Sequence, residues 1–325
     1  MLEQLGIDYI LLEAHHTIAT QLGASIGMLP DGLRIPDQPG CYETIRDKAG
    51  DFNNHTRPTT HAFSSTDNFF SKSCITTSRT RRNILTDKRV MGVEVTSVGV
   101  RVQAQDGFAY DGDFLLSNLP TANSPKLKSH TKCIFRISLR PATFPYNAQD
   151  LVFYKGWSHL AVSAPGDRVC LVLFCAMSIV YSKDIPRYTK EDEASLATQH
   201  LDDSVTETAT FRDLYDNRHV ATLMPLREHV FARWQFRRIV TIGDSAHKAH
   251  PITAQGDNGA IESAAVLANA ISRKMEEHPK GLSEEALEAA FGEVYKHRHD
   301  RAQALVKQGG QMQSTTNPEG PFRDG

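Results

Sequence analysis

Two short apolar runs, one near each end of the chain, stop at or just before an acidic residue. Residues 7–12 form the first run and end at Glu13, and residues 238–242 form the second and end at Gly243-Asp244. Apolar runs of this length are typical of buried strands in parallel sheets. After the second run, apolar residues recur at helical spacing between 261 and 275. Strand, glycine-containing turn and helix in this order predict an α/β fold with a parallel, Rossmann-like sheet.

The middle of the chain alternates between apolar and polar residues, as half-buried strands do. Residues 90–116, with a turn at Asp106-Gly107, predict a three-stranded antiparallel meander. Four further segments predict a second antiparallel sheet, namely residues 133–139, 151–154, 157–162 and 168–174. Thr189 and Asp192 have the spacing of a capping box and predict a helix. The apolar residues between 287 and 305 predict the last helix.

Composition excludes several classes of protein. The 325 residues carry a net charge of −2, which argues against a nucleic-acid partner. The five cysteines include no CxxC pair, so we expect neither a disulfide framework nor a zinc motif, and a reducing, cytoplasmic location. No apolar run approaches the roughly 18 residues of a transmembrane helix. Residues 46–80 predict a loop, and the polar, Gly-containing residues 309–325 predict a disordered tail.

The segment after the second apolar run has the residues of a ligand-binding turn. Asp244, at the carboxyl end of the predicted strand, can accept hydrogen bonds from a sugar-like hydroxyl. Gly256 lets the backbone approach a ligand because it has no side chain. A helix that starts near Asn258 presents unpaired N–H groups and the positive end of its dipole, which stabilise an anionic group.

Residues 243–258 resemble the second FAD motif of group A flavin monooxygenases, the aromatic-hydroxylase type. That motif is Gly-Asp, Ser or Ala, Ala or Val and His, followed by Pro and by Gly-Gln-Gly-x-Asn; here the first glycine of the last group is Ala254. The resemblance implies that Asp244 contacts the ribityl chain and that Pro251 lines the flavin ring. It also implies that the helix end at Gly256, Asp257 and Asn258 faces the pyrimidine edge.

The amino end resembles the same family. Residues 5–13 are similar to its second strand, which implies that Glu13 accepts the hydroxyls of the adenosine ribose. Residues 23–32 are similar to a stretch in fungal monooxygenases of indole-diterpene and meroterpenoid (paxilline-type) pathways, which implies that Gly27 lies at the cofactor. Glycine pairs alone more often mark ordinary turns, so this match counts only together with Glu13 and the downstream motif.

Three segments of the family pattern have no counterpart. The first strand and its GxGxxG turn are absent, so the chain resembles a truncated member whose parallel sheet lacks its first strand. An Asp-Arg segment is absent from residues 71–82, before and around Arg79. The sequence Ser117-Asn118-Leu119-Pro120 stands where the family has Gly-Ala-Asp-Gly. The alternative is therefore a degenerate or incomplete homologue that neither binds FAD nor catalyses a reaction.

The resemblance implies an incomplete Rossmann-like FAD/NAD(P)-binding domain joined to an antiparallel β-sheet substrate domain. We expect FAD-binding residues in 1–130 and 226–308, the latter with the C-terminal helices, and the substrate domain in 131–225. The implied reaction uses FAD, NAD(P)H and O₂ to hydroxylate or epoxidise a small hydrophobic molecule, a prenylated terpenoid of fungal secondary metabolism.

No residue is assigned as a catalytic acid or base. Asp244, His247 and His250 have a spacing that suggests metal ligands, but they lack a fourth ligand, so no metal site is predicted. A nucleotide-binding α/β hydrolase is a third hypothesis, for which the sequence offers no nucleophile elbow. The sequence does not predict an oligomeric state.

Overall fold

The computed structural model describes residues 1–18, 25–47, 49–51, 63–66, 81–117 and 127–314. Gly23, Arg79, residues 118–120, most of the predicted loop at 46–80 and the chain after residue 314 lie outside these ranges. The strands are β1 (Leu11–Leu12), β2 (Ser25–Met28), β3 (Gly50–Asp51), β4 (Phe63–Thr66), β5 (Ile84–Leu85), β6 (Val90–Val95), β7 (Val100–Ala104), β8 (Ala109–Gly112), β9 (Leu115–Ser117), β10 (Lys128–Leu139), β11 (Gln149–Phe153), β12 (Trp157–Ala164), β13 (Arg168–Tyr181), β14 (Arg218–Val230), β15 (Gln235–Phe236), β16 (Ile239–Thr241) and β17 (His247–Lys248).

The helices are α1 (Pro30–Asp37), α2 (Tyr42–Arg46), α3 (Lys190–Thr198), α4 (Phe211–Asp216), α5 (Gln255–Glu277) and α6 (Glu284–Ser314). Short 3-10 turns include Gly243–Ser245 and Pro251–Thr253. Thr189 caps α3 through the predicted capping box. Among the described residues, no helix combines the length and the apolar character needed to cross a bilayer.

The largest unit is a six-stranded sheet in the order β11-β12-β13-β10-β14-β17, whose strands pair antiparallel. The four strands predicted from alternation are all present. The sequence did not predict β14, which pairs with β10 along most of its length. The sheet therefore runs from Lys128 to Val230 and takes in His247–Lys248, beyond both ends of the 131–225 segment.

The two faces of this sheet are covered differently. Neighbouring residues alternate between the faces, because successive side chains on a strand point in opposite directions. One face is a closed core with α3 and α4, in which Ile134, Leu173 and Phe211 are almost fully buried. On the other face, Cys133 and Phe174 pack with Ile252, from the Pro251–Thr253 turn. We call this second face, with Cys133 and Phe174, the open face of the sheet. It contacts the 243–258 segment through Ile252.

The single parallel sheet predicted from the sequence is not found in the described ranges. β1 pairs parallel with β5, and β9 pairs parallel with β16, but the two pairs belong to separate sheets. The first predicted strand, residues 7–12, is reduced to Leu11–Leu12, and Ile10 and Leu11 are exposed rather than buried. The predicted meander is present as β6, β7 and β8, whereas residues 114–116 contribute to β9 instead.

α5 and α6 pack together over β16 and bury a second core, which includes Trp234, Ile271, Leu287 and Phe291. α6 continues to Ser314. The predicted disordered tail is therefore wrong for residues 309–314. The reason is a contact: Gly309 lies so close to His250 that a Cβ on this glycine would be 2.8 Å from the His250 Cβ.

Candidate functional site

The segment 243–258 follows β16 and leads into α5, as the sequence predicts. Gly243 has a φ of 58°, a conformation that glycine adopts readily, and it opens the Gly243–Ser245 turn. The buried Ser245 hydroxyl lies 2.9 Å from the Ser117 carbonyl and 2.8 Å from the Ile242 carbonyl. The turn is thus tied to the carboxyl ends of two parallel strands. This leaves the Asp244 carboxylate exposed, where its Oδ2 accepts a hydrogen bond from Lys248 Nζ at 2.5 Å.

The two histidines of the segment are buried in structural positions. His250 Nδ1 accepts a hydrogen bond from the Ile252 N–H at 3.3 Å, and burial lowers the His250 pKa to about 3. His247 Nε2 lies 3.3 Å from the Ser263 hydroxyl. Burial, assisted by the positive charge of Arg298, lowers the His247 pKa to about 4. Both imidazoles are therefore neutral at neutral pH.

Ala254 holds the bend between the Pro251–Thr253 turn and α5. Its φ of 53° and ψ of 20° are left-handed, a conformation that costs an alanine roughly 1 kcal/mol relative to glycine. Its methyl group faces Gly27, where an added Cβ would lie 2.9 Å from the Ala254 Cβ. The close approach of β2 to this bend therefore requires a glycine at position 27.

Asn258 joins α5 to the β2–α1 segment. Its Nδ2 donates hydrogen bonds to the carbonyls of Gly27 and Ala254, both at 2.7 Å. Its Oδ1 accepts from the Leu29 N–H at 3.1 Å. The side chain is fully buried, and a Cβ at Gly32 would lie 1.9 Å from Oδ1. Both amide protons are thus used within the protein, so that Asn258 positions the predicted Gly27 beside the predicted helix end.

The N-terminus of α5 has no side-chain cap, so the first N–H groups of this 23-residue helix have no partner from a capping side chain. A Cβ at Gly256 would meet nothing within 4 Å, and Gln255 Oε1 is buried without a hydrogen-bond partner. Open space, unpaired polar atoms and a helix dipole fit a planar group with hydrogen-bonding edges. The Asp257 carboxyl is solvent-accessible but largely surrounded by protein; this desolvation, with the negative charge of Asp244, raises its pKa.

Glu13 lies apart from these residues in the fold, directly after β1 on the β1–β5 sheet. Its backbone N–H donates to the Leu85 carbonyl at 2.9 Å, and its Oε1 accepts from the His15 N–H at 2.8 Å. Its side chain is half-buried at the carboxyl end of a parallel strand, the position at which such sheets bind ligands. The structure therefore brings together Gly27, Pro251 and the helix end, with Asp244 on the adjoining turn.

A buried acidic group, Glu228, lies on the open face of the six-stranded sheet and was not predicted from the sequence. Glu228 is 2% exposed, its Oε1 lies 4.0 Å from His130 Nε2, and it has no hydrogen-bond partner there. Burial raises the pKa of Glu228 to about 7, although the positive charge of Lys128 acts in the opposite direction. Glu228 occupies a buried position of β14, so a prediction of this strand from the sequence would have identified Glu228 as a buried acidic residue.

The chain is similar to flavin-dependent proteins in both sequence and structure. Residues 166–308 match the FAD binding domain family model. The chain is 30% identical to FAD-dependent monooxygenase verC1 of Penicillium polonicum, over 94% of this chain and 43% of that protein. It is also 30% identical to FAD-dependent monooxygenase spyC of Aspergillus fumigatus, over 96% of this chain and 75% of that protein. It thus spans less than half of verC1 and three quarters of spyC.

Among solved structures, the fold resembles that of Klebsiella pneumoniae HpxO complexed with FAD and uric acid. The TM-score is 0.77 at 19% identity, and the match covers 98% of this chain and 85% of HpxO. The fold also resembles P. aeruginosa PqsL in complex with 2-aminobenzoylacetate, with a TM-score of 0.73 at 15% identity over 97% and 91% of the two chains. At these identities the likeness establishes the fold, an FAD-binding monooxygenase fold with mixed α/β content and antiparallel sheets.

Proposed function

This chain belongs to the FAD-dependent monooxygenases, a family of flavin oxidoreductases, and we propose that it uses NAD(P)H and O₂ to oxygenate a small hydrophobic molecule. FAD is the cofactor of the family. The observation that carries the proposal is the uncapped N-terminus of α5, with open space at Gly256, held beside Gly27 by the buried Asn258.

Seven residues would hold the cofactor. The exposed Asp244 carboxylate would accept hydrogen bonds from the ribityl hydroxyls, and Pro251 would line the ring. The N–H groups at Gly256 and Asp257 would meet the pyrimidine edge, at the positive end of the α5 dipole. Three further residues complete the set: Gly27, which lies against the bend at Ala254; Asn258, which fixes the bend; and Glu13, for the adenosine ribose.

When bound, FAD would supply the electron transfer between NAD(P)H and O₂, and O₂ would supply the oxygen atom. The protein's own part is to orient the cofactor and to keep water away. The neutral, buried His250 stabilises the Pro251–Thr253 turn, because its Nδ1 accepts a hydrogen bond from the Ile252 N–H and its Cβ lies close to Gly309 of α6. A rigid turn of this kind holds a ring at a fixed distance from a substrate.

The substrate would lie on the open face of the six-stranded sheet. Cys133, Phe174 and Leu226 are buried there against Ile252, and Phe135 and Leu160 beside them are only partly buried. An apolar surface that remains partly accessible next to the cofactor turn favours a hydrophobic substrate. Hydroxylation or epoxidation of a prenylated terpenoid in fungal secondary metabolism agrees with this surface and with the fungal origin of verC1 and spyC.

The first experiment measures flavin binding. Purified protein should show the visible absorption of a flavin or acquire it on titration with FAD, and NADPH should then bleach the absorption. Folded protein that stays colourless in excess FAD would overturn the proposal and favour the alternative, a degenerate homologue without FAD.

A pair of variants tests whether the α5 end is the binding site. Gly256→Val fills the open space at the helix end, whereas Gly292→Val adds the same side chain to α6, also without a contact within 4 Å. We expect Gly256→Val to weaken FAD binding at least about tenfold, which corresponds to 1.4 kcal/mol, and Gly292→Val to leave it unchanged. Equal FAD affinity in the two variants would contradict this assignment.

A further inference from the structure

Two histidines and an aspartate converge on the closed face of the six-stranded sheet, opposite the face that contacts the Pro251–Thr253 turn. His159 lies on β12, and His200 and Asp203 follow α3. His159 Nε2 and His200 Nδ1 are each 2.9 Å from the same atom, Asp203 Oδ2. Both histidines are buried, with exposed fractions of 0% and 7%.

The three groups have the geometry of a metal-ligand set. Their ligand atoms all lie within 4.8 Å of one another. In a tetrahedral site with metal–ligand bonds of about 2.0–2.2 Å, neighbouring ligand atoms are about 3.3–3.5 Å apart. Small rotations of the two imidazoles and the carboxylate would bring them to that spacing. The Asp203 side chain retains 15% exposure, which gives solvent access to the cluster.

The groups around the cluster orient its members. The indole N–H of Trp157 donates a hydrogen bond to Asp203 Oδ2 at 2.7 Å. On the far side of its ring, His200 Nε2 lies 3.8 Å from Cys175 Sγ. Partners of this kind fix the ring orientation and the tautomer of histidine ligands in known metal sites.

The hydrogen bonds define where the protons of the cluster lie. Because the Asp203 carboxylate only accepts hydrogen bonds, His159 Nε2 and His200 Nδ1 carry the protons that face it. A bound metal ion would take the place of these two protons, so metal binding should release them or move them to the other ring nitrogens.

We propose that His159, His200 and Asp203 form a binding site for a divalent transition-metal ion, of which Zn²⁺ is the best match. Two imidazole nitrogens and one carboxylate oxygen are typical ligands of Zn²⁺, whereas Mg²⁺ and Ca²⁺ prefer sites made only of oxygen ligands. The ion would clamp the loop after α3 onto β12. This site does not depend on flavin binding, because it lies on the other face of the sheet.

The wild-type protein provides the primary test. Untagged, chelator-treated protein is titrated with Co²⁺ and followed by its visible ligand-field absorption, and then with Zn²⁺ by calorimetry. We expect one Co²⁺ per chain with the intense absorption of a tetrahedral site, and its displacement by one equivalent of Zn²⁺. Absence of both the absorption band and the heat of Zn²⁺ binding would overturn the proposal and leave a purely hydrogen-bonded cluster.

Variants locate the site. His200→Gln and Asp203→Asn keep polar side chains of similar size, and we expect each to weaken Zn²⁺ binding at least about tenfold. His219→Gln removes an exposed histidine elsewhere in the chain and should leave the affinity unchanged. Zn²⁺ affinity and stoichiometry equal to wild type in folded His200→Gln would exclude this site. If a variant does not fold, the wild-type Co²⁺ spectrum still decides.

Discussion

The segment 243–258 and the six-stranded sheet keep their shapes by different means. The segment consists of short turns, a two-residue strand and the first residues of α5, and a few buried polar atoms fix its course, among them the Asn258 amide and the Ser245 hydroxyl. The sheet is held by long ladders, in which β10 pairs with β13 and β14 over most of its 12 residues. The segment thus depends on single contacts, whereas the sheet distributes its stability over many.

This difference has a consequence for substitutions. Removal of one buried polar side chain from the segment, such as Asn258, removes several hydrogen bonds to the backbone at once. Removal of one exposed side chain from the sheet region leaves the ladder intact. Single changes in the segment should therefore have the larger effects.

The largest expected effect is that of Asn258→Ala. The change removes three hydrogen bonds, which join Asn258 to the Gly27 carbonyl, the Ala254 carbonyl and the Leu29 N–H. At about 1–1.5 kcal/mol for each bond, we expect a loss of roughly 4 kcal/mol in the free energy of unfolding. Urea denaturation measures this loss.

The matched control is Asn217→Ala, next to the sheet. Asn217 is exposed, and its side chain donates one hydrogen bond, to the Asp213 carbonyl at 2.8 Å. Its replacement should cost less than about 1 kcal/mol. Similar losses for the two asparagines would break the distinction between the segment and the sheet.

Glu228→Gln tests a place where the sheet resembles the segment, because a buried polar group there has an oxygen without a hydrogen-bond partner. Its folded pKa, about 7, lies above the ordinary value of 4.5. Between these values the folded protein holds a proton that the unfolded chain releases, so the stability falls as the pH rises. Glu228→Gln should therefore be more stable than wild type above pH 7, by on the order of 3 kcal/mol.

The pH dependence distinguishes this effect from a general one. The stability difference between Glu228→Gln and wild type should disappear as the pH falls below about 4.5, where the carboxyl is protonated in both states. Glu207→Gln, at an exposed position, should show no such trend. Denaturation curves at pH 4.5 and pH 8 suffice, and a stability gain that does not change with pH would exclude the titration of Glu228 as the cause.

Substitutions at two glycines of α6 should have the smallest effects on stability. They test whether the end of this helix packs against the 243–258 segment. A methyl group at Gly309 would clash with His250, whereas one at Gly292 would meet nothing within 4 Å. Gly309→Ala should cost about 1–3 kcal/mol by overpacking, and Gly292→Ala should stabilise the helix by up to about 1 kcal/mol. Thermal unfolding measures both, and a stabilising Gly309→Ala would mean that the end of α6 does not pack on His250.

The sequence predicted the fold best where a local pattern, such as a glycine turn or strand alternation, determines the residue types. The strand, turn and helix at residues 239–258 were predicted from an apolar run, a glycine turn and apolar residues at helical spacing, and Gly243 has the positive φ that glycine adopts readily. The strands β10, β12 and β13 followed from alternation. β14 was missed because the spacing of its buried positions shifts at Pro225 and because the polar Glu228 occupies one of them.

What the sequence could not predict depends on contacts between distant positions. Asn258 and Gly27 are 231 residues apart, so the bonds that join them leave no local pattern. His159 and Asp203 meet only because the loop after α3 packs on β12. The predicted parallel sheet is found in the described residues only as two separate parallel pairs, and strands as short as β1 and β9 carry little periodicity from which to predict how they join.

The contact between Gly27 and Ala254 couples the evolution of two distant positions. Only one methyl group fits between β2 and the start of α5, because two Cβ atoms there would be 2.9 Å apart. Gly27→Ala is therefore harmful while alanine occupies position 254, but acceptable once position 254 has become glycine, a change that also relieves the left-handed backbone. The effect of Gly27→Ala on stability thus depends on the residue at position 254, so the two positions are epistatic. In evolution, the replacement of Ala254 by glycine has to come before that of Gly27 by alanine.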